Sequence, residues 1–287
     1  MSKVWLVTGS GRGLGRDIVK AALGAGDRVV AAARDPRQLA ELLEQHGEQI
    51  RTVALDVIDP VAAQAAVKVA LDAFGRLDVL VNNAGFGHMV PFEQADMEDF
   101  RSQIDTNFYG VVNVTRAALP ILRKQKSGHI IHISSVGGRV GTPGLSAYQA
   151  AKWAVGGFTE VLSKEVSHLG IKVTALEPGG MRTGWGAEAR REIPNMLADY
   201  EPSVGATLQR LRQYVGHEAG DPAKVAAVVV RLAHHDSPPV HLLLGADALH
   251  FAEQTESARA AADLRWRAVS LSTDYSAPAD LPEFPAS

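Results

Sequence analysis

A tyrosine and a lysine stand four residues apart at Tyr148 and Lys152, in a stretch whose apolar spacing predicts a helix over 147–168. Four residues is about one turn, so both side chains leave the same face and can reach one site. A free phenol has a pKa near ~10, and a cation about 4 Å away at an effective dielectric of about 20 contributes on the order of 4 kcal/mol. That is enough to bring a phenolic proton toward exchange near neutral pH. Ser135 stands thirteen residues before the tyrosine, just past a predicted strand over 129–134, and Asn107 lies in a long predicted helix over 97–123. Singly, each has a plainer reading: a half-buried core tyrosine, a solvated helix lysine, a strand-end turn at Ser134 and Ser135, a polar group at a helix kink. It is their joint spacing that points to one site.

A second group opens the chain. A predicted strand over 3–8 runs straight into Thr8-Gly9-Ser10-Gly11-Arg12-Gly13-Leu14-Gly15. The turn has no Gly-Lys-Ser/Thr, which disfavours nucleoside triphosphate hydrolysis, and strict G-x-G-x-x-G fails in both registers because residue 14 is Leu and residue 16 is Arg. What remains is glycine at 9, 13 and 15 before a predicted helix over 14–23. Such glycines let a backbone approach a pyrophosphate, and the helix start offers free N–H groups. A ligand-free glycine turn is the alternative.

The spacing T-G-x-x-x-G-x-G resembles the nucleotide-binding turn of the short-chain dehydrogenase/reductase family. Asn82-Asn83-Ala84-Gly85 is similar to that family's N-N-A-G turn, Pro178-Gly179 with Thr183 to its P-G-x-x-x-T segment, and Asn107, Ser135, Tyr148 and Lys152 to its catalytic tetrad. The resemblance covers about residues 3–245. It implies that Tyr148 donates a proton to the developing alkoxide in reduction, or takes it in oxidation, while Ser135 hydrogen-bonds the substrate oxygen. Lys152 would bond the nicotinamide ribose and lower the tyrosine pKa, and Asn107 would position a water for proton relay. It further implies cofactor contacts from Gly9, Gly11, Arg12, Gly13, Leu14 and Gly15, from Asp56 at the adenine and Val57 beside it, and from Asn83, Ala84 and Gly85. Tyr148, Lys152, Pro178, Gly179, Met181 and Thr183 would complete the nicotinamide end.

The choice of dinucleotide falls at the end of the second strand, where an acid suits a ribose 2′-hydroxyl and an arginine a 2′-phosphate. Arg34 stands there, with Asp35 one residue later, and Arg12 occupies the turn position from which NADP-preferring family members often add a phosphate contact. Two arginines favour NADP(H) over NAD(H); two solvated surface arginines are the alternative. Met89, Val136, Gly180, Trp185, Met196 and Tyr200 are expected near the substrate, with ordinary packing as the other reading.

The elements that must position these residues alternate. Strands are expected over 3–8, 28–33, 51–55, 77–81, 129–134, 171–177 and 240–244, and helices over 14–23, 38–45, 60–74, 97–123, 147–168 and 222–233. Repeated strand, helix, strand predicts an α/β fold: a single Rossmann-type doubly wound parallel sheet of about seven strands with helices on both faces. Residues 1–246 form the expected dinucleotide-binding and catalytic domain, with 180–220 as a substrate loop. Residues 247–287 add a helix over 247–269 and a tail packed on the same domain. This ending resembles the subgroup similar to 17β-hydroxysteroid dehydrogenases and ketoreductases.

Composition narrows the partners. Apolar residues make up 46% of 287, charged residues 21%, and the net charge is -3, which excludes wholesale disorder and gives no footprint for nucleic acid or an anionic membrane. Cysteine is absent, so thiolate chemistry of every kind is out. No metal is expected, since His234, His235 and His241 lack acidic or thiol partners at ligand spacing. No run reaches the roughly 18 apolar residues a bilayer crossing needs, the best being 225–233 with Arg231 inside it, and the cytoplasm is the default location. The expected activity is an NADPH-dependent carbonyl reductase acting reversibly on a small-molecule ketone and secondary alcohol pair. An NADP-linked alcohol or hydroxysteroid dehydrogenase working oxidatively is the alternative within the class, and a non-catalytic NADP(H) sensor the one outside it. A homodimer or homotetramer through the two long helices is expected from the resemblance.

Overall fold

The computed structural model describes residues 2–189, 193, 195–278 and 280–285. Parts of the expected 180–220 loop (190–192 and 194) and of the tail (279, 286 and 287) lie outside the described residues. Seven strands form one parallel sheet: β1 (Val4–Val7), β2 (Arg28–Ala33), β3 (Ile50–Ala54), β4 (Val79–Asn82), β5 (Gly128–Ile133), β6 (Ile171–Pro178) and β7 (His241–Leu244), in the order β3-β2-β1-β4-β5-β6-β7. The expected doubly wound α/β sheet is therefore the observed one, with boundaries displaced by a residue or two.

Both faces of the strands are apolar because both are covered. In β1, Trp5 and Val7 face a layer with Ile18 and Val19 of α1 (Gly13–Gly24) and Val225 and Val229 of α9 (Pro222–Ala233). Val4 and Leu6 face the other layer, with Ala66 of α3 (Pro60–Phe74), Val114 and Leu122 of α5 (Gly110–Gln125) and Leu162 of α6 (Ser146–Val166). The strand order reverses between β1 and β4, so their carboxyl ends open a crevice, the place where open α/β sheets bind ligands.

One expected helix is two. Residues 97–123 divide into α4 (Met97–Ile104) and α5, joined by a π-helical turn at Asp105–Tyr109. The widened turn holds Asn107, whose side-chain amide donates to the Gln103 carbonyl at 2.8 Å and the Phe86 carbonyl at 2.7 Å. Such a bulge re-aims a side chain that a regular helix would leave in the packing face. The stretch over 38–45 is α2 (Ala40–His46), entered by a 3₁₀ turn at Pro36–Leu39. The expected 180–220 loop contains α7 (Gly184–Ala189) and α8 (Ala206–Gln213).

The last helix, α10 (Ala246–Leu271), buries only Ala248 and Ala252, both in its first turns. Arg259 donates to the Arg139 carbonyl at 2.8 Å and stacks on Trp153 at 4.5 Å. Beyond that point the described tail folds back on the helix, Phe284 meeting Trp266 at 5.4 Å. Among the described residues no helix is long and apolar enough to cross a membrane.

Candidate active site

Four strand ends supply the site. β1 leads into the glycine turn, where Gly9 (φ +66°) and Gly13 (φ +56°) take left-handed backbone that side-chain-bearing residues avoid. Gly15 is needed for closeness: a Cβ there would lie 2.3 Å from the Gly9 carbonyl and 2.4 Å from Asn83 Nδ2. Thr8 fastens this turn to the end of β4, its hydroxyl accepting from the backbone N–H of Asn83 at 2.9 Å and of Ala84 at 3.1 Å. Asn83 answers by donating to the carbonyls of Thr8 at 3.0 Å and Gly9 at 3.2 Å.

The start of α1 differs from its neighbours. α3 and α9 carry Asp59 and Asp221 as side-chain caps, each followed by proline, whereas α1 begins at Arg12 with no side-chain cap and no acid in its first turn. Its leading N–H groups and positive dipole end are left for an anion. With the backbone held open by glycine, these residues fit the pyrophosphate of a dinucleotide. Leu14 is buried beneath the turn, and Gly11 lies under Gln38, which local motifs give no reason to expect there.

β5 leads to Ser135, and α6 returns Tyr148 and Lys152 over it. Ser135 Oγ accepts the Gly137 N–H at 3.0 Å, which shapes the turn containing Val136, and its hydroxyl is near enough to Tyr148 to favour the phenolate. Burial pushes the Tyr148 phenol up to about 12, with the Ser135 hydroxyl opposing. Burial brings the Lys152 ammonium down to about 8. Its Nζ donates to the Ile133 carbonyl at 2.8 Å and stands 5.5 Å from the centre of the Tyr148 ring. The lysine Nζ thus lies over the Tyr148 ring, and the shift of the phenol is set first by burial.

Asn107 joins them through Gly85. A Cβ at Gly85 would lie 2.5 Å from Asn107 Oδ1 and 3.6 Å from Lys152 Nζ, so a bare backbone separates the two. Asn107 Oδ1 is buried without a hydrogen-bond partner among the described residues, an acceptor facing the lysine side of the site.

The β6 end brings the remaining segment. Gly179 donates to the Leu244 carbonyl at 2.9 Å and Gly180 to Asp247 Oδ2 at 2.7 Å. The carboxylate of Asp247 lies so close beneath Gly179 that a Cβ there would be 2.2 Å from it. Met181 pairs with Gly220, and Thr183 lies across from Gly13 at 3.8 Å from the position of a Cβ. Asp56 accepts from the Ile58 N–H at 3.2 Å at the far end of the crevice, and Val57 packs on Gly110. Arg34 is exposed at the end of β2.

Other expectations fare differently. Trp185 packs on Tyr148 at 4.9 Å between ring centres, with Gly87 filling the corner between them. Met89 is buried in a cluster with Leu145 and Leu208, its N–H donating to the Ala189 carbonyl at 3.0 Å. The Tyr200 hydroxyl donates to Glu93 at 2.6 Å, and Met196 lines a groove with Glu201 and Arg212. Arg12 does not turn toward Arg34; it pairs with Glu188 of α7 at 2.7 Å. Two of the three histidines meet single carboxylates from distant segments: His241 Nδ1 meets the buried Glu177 at 2.8 Å, which also accepts from Arg139 at 2.6 Å, and His234 meets Asp27 at 3.4 Å. Glu188, Glu177 and Asp247 carried no local signal, because their partners stand dozens of residues away in sequence.

The sequence family described as short chain dehydrogenase matches residues 3–194. Oxidoreductase BOA17 of Botryotinia fuckeliana is 48% identical over 274 residues, covering 95% of this chain and all of that protein. A 3-ketodihydrosphingosine reductase of Bacteroides thetaiotaomicron is 32% identical, covering 85% of this chain and 88% of the other. Among solved structures, a short-chain dehydrogenase from Streptomyces avermitilis superimposes with a TM-score of 0.86 at 36% identity, over 96% of this chain and all of that one. The nucleotide-binding turn, the Ser135–Tyr148–Lys152 cluster and these likenesses agree, and the chain belongs to the short chain dehydrogenase family of nicotinamide-dependent oxidoreductases acting on CH–OH and C=O groups.

Proposed function

We propose that this protein is an NADPH-dependent carbonyl reductase of the 17β-hydroxysteroid-dehydrogenase-like or ketoreductase kind, working reversibly on an apolar ketone and its secondary alcohol. The observation that carries the reading is the buried Tyr148, packed under Trp185 on the helix face it shares with Lys152, where burial raises the pKa of its phenol. A neutral phenol is an acid ready to give its proton to a developing alkoxide. Ser135 offers a hydroxyl to the same oxygen, and Lys152 holds a cation behind the ring. The nicotinamide dinucleotide supplies the hydride when bound. Gly9, Gly13 and Gly15 admit its pyrophosphate, the uncapped start of α1 holds it, and Thr183 and Met181 stand at its nicotinamide end. Trp185 and Met89 give the substrate side an apolar wall, and the name of the Bacteroides relative is that of a ketone reductase.

NADPH oxidation measured with aryl ketones, keto esters, aldehydes and steroid ketones, with NADH in parallel, tests the activity. Turnover with NADH alone, or with no carbonyl at all, would sink the reading. The dinucleotide preference rests on Arg34, which the end of β2 holds exposed where a 2′-phosphate would lie. Arg34→Asp removes an arginine from a phosphate dianion and adds a like charge, each worth on the order of 1–2 kcal/mol. The ratio of kcat/KM for NADPH to that for NADH is expected to fall by roughly 10²-fold, and an unmoved ratio would refute the assignment.

Assembly through α4, α5 and α6 accords with the apolar side chains that these helices and the turn joining α4 to α5 leave exposed, Met97, Tyr109, Trp153 and Val161. Light scattering is expected to give the mass of a dimer or tetramer; a monomer would overturn it. A cytoplasmic location accords with the cysteine-free composition.

A further inference from the structure

Arg12 stands on the turn after β1, and Glu188 on α7 after β6. Strand order places β4 and β5 between them, so three spacings of about 4.8 Å separate the two strand ends by ~14 Å. The segment after β6 spans that distance where Thr183 meets Gly13, and the 2.7 Å ion pair is a second tie between α7 and the glycine turn. The same short helix is tied at two further points: the Trp185 ring rests on Tyr148, and the Ala189 carbonyl accepts the Met89 N–H. α7 lies over the mouth of the site as a strap, and Arg12 is its fastening on the nucleotide side.

That fastening has a cost for one ligand. β2, with Arg34 at its end, lies on the opposite side of β1 from β6. A guanidinium reaching to α7 is thus drawn away from the place where a phosphate near Arg34 would need it. Resting on the NADP(H) reading, we infer that Glu188 is a specificity-determining residue for the dinucleotide: its carboxylate competes with an adenosine 2′-phosphate for Arg12. A ligand bearing that phosphate takes Arg12 and unfastens α7, whereas one without it leaves the strap tied. The competition is between two anions for one cation, and a phosphate dianion shared by two arginines is the stronger partner. The Arg12 and Glu188 side chains are 73% and 30% exposed, so solvent screens the pair and its removal shifts affinity by a few fold rather than by orders of magnitude.

Calorimetric binding of 2′,5′-ADP and 5′-AMP, which carry the phosphates without the nicotinamide, reads this directly. Glu188→Gln is expected to tighten 2′,5′-ADP about three- to fivefold at low salt and to change 5′-AMP by less than about twofold. The gain should disappear when Arg12→Gln is combined with it. No gain, an equal gain for both ligands, or a gain that persists without Arg12 would each overturn the role of Glu188. Should the wild type bind 2′,5′-ADP no more tightly than 5′-AMP, the NADP(H) reading fails and this role with it. A wild-type preference alongside an unresponsive Glu188→Gln removes only the latter.

Discussion

Tyr148→Phe lowers kcat for carbonyl reduction by roughly 10²- to 10⁴-fold, the usual contribution of a positioned general acid, while dinucleotide affinity stays within about twofold of wild type. The substitution isolates the hydroxyl. The ring keeps its contact with Trp185 and its fit against Gly87, so the packing of α6 on the strap is preserved. Ser135 keeps the Gly137 N–H it accepts. What is lost is the one proton that burial holds on the phenol at neutral pH. Single-turnover rates at saturating NADPH separate this loss from binding. A variant retaining more than a tenth of the wild-type rate would show that the proton comes from elsewhere.

Lys152→Met is expected to abolish turnover and at the same time stabilise the cofactor-free protein by about 2 kcal/mol at pH 7. Lys152 is 4% exposed, and burial alone brings its pKa from 10.5 to about 8. That difference corresponds to about 3 kcal/mol of stability forgone below pH 8, where the amine is charged in both folded and unfolded chains. Methionine removes this penalty and fills a similar volume, but gives up the bond to the Ile133 carbonyl, worth about 1 kcal/mol. Between pH 8 and 10.5 the unfolded chain binds the proton and the folded chain does not, so wild-type stability rises with pH across that window. The advantage of the variant should therefore narrow above about pH 8 and vanish toward about pH 10. Urea unfolding at pH 7 and pH 9.5 gives both values; a variant less stable than wild type at pH 7 would mean the ammonium is better solvated than its surroundings indicate. A strain of this kind, released when a ribose and a phenolate share the charge, is the ordinary expense of a functional site.

How legible the site was depends on how local each contact is. The glycine turn, Asn82 to Gly85, Ser135 and the Tyr148–Lys152 pair follow single strand ends or share one helix face, so short-range spacing already places them at the carboxyl edge of a parallel sheet. The alternation of apolar runs with helical spacing determined the doubly wound fold for the same reason, because a strand covered on both sides must be apolar on both sides. Periodicity could not reveal the π-helical turn at Asn107: one added residue per turn leaves the apolar pattern of α4 and α5 nearly intact and only the bonds to Phe86 and Gln103 disclose it. Nor could it show that Lys152 Nζ lies over the Tyr148 ring, that Arg12 turns to Glu188, or that the Tyr200 hydroxyl donates to Glu93. The sequence by itself determined the fold, the family and which residues could react. The tertiary structure alone decided where each charge points, because a side chain's partner is chosen by distance in space, and Arg12 finds its own 176 residues away.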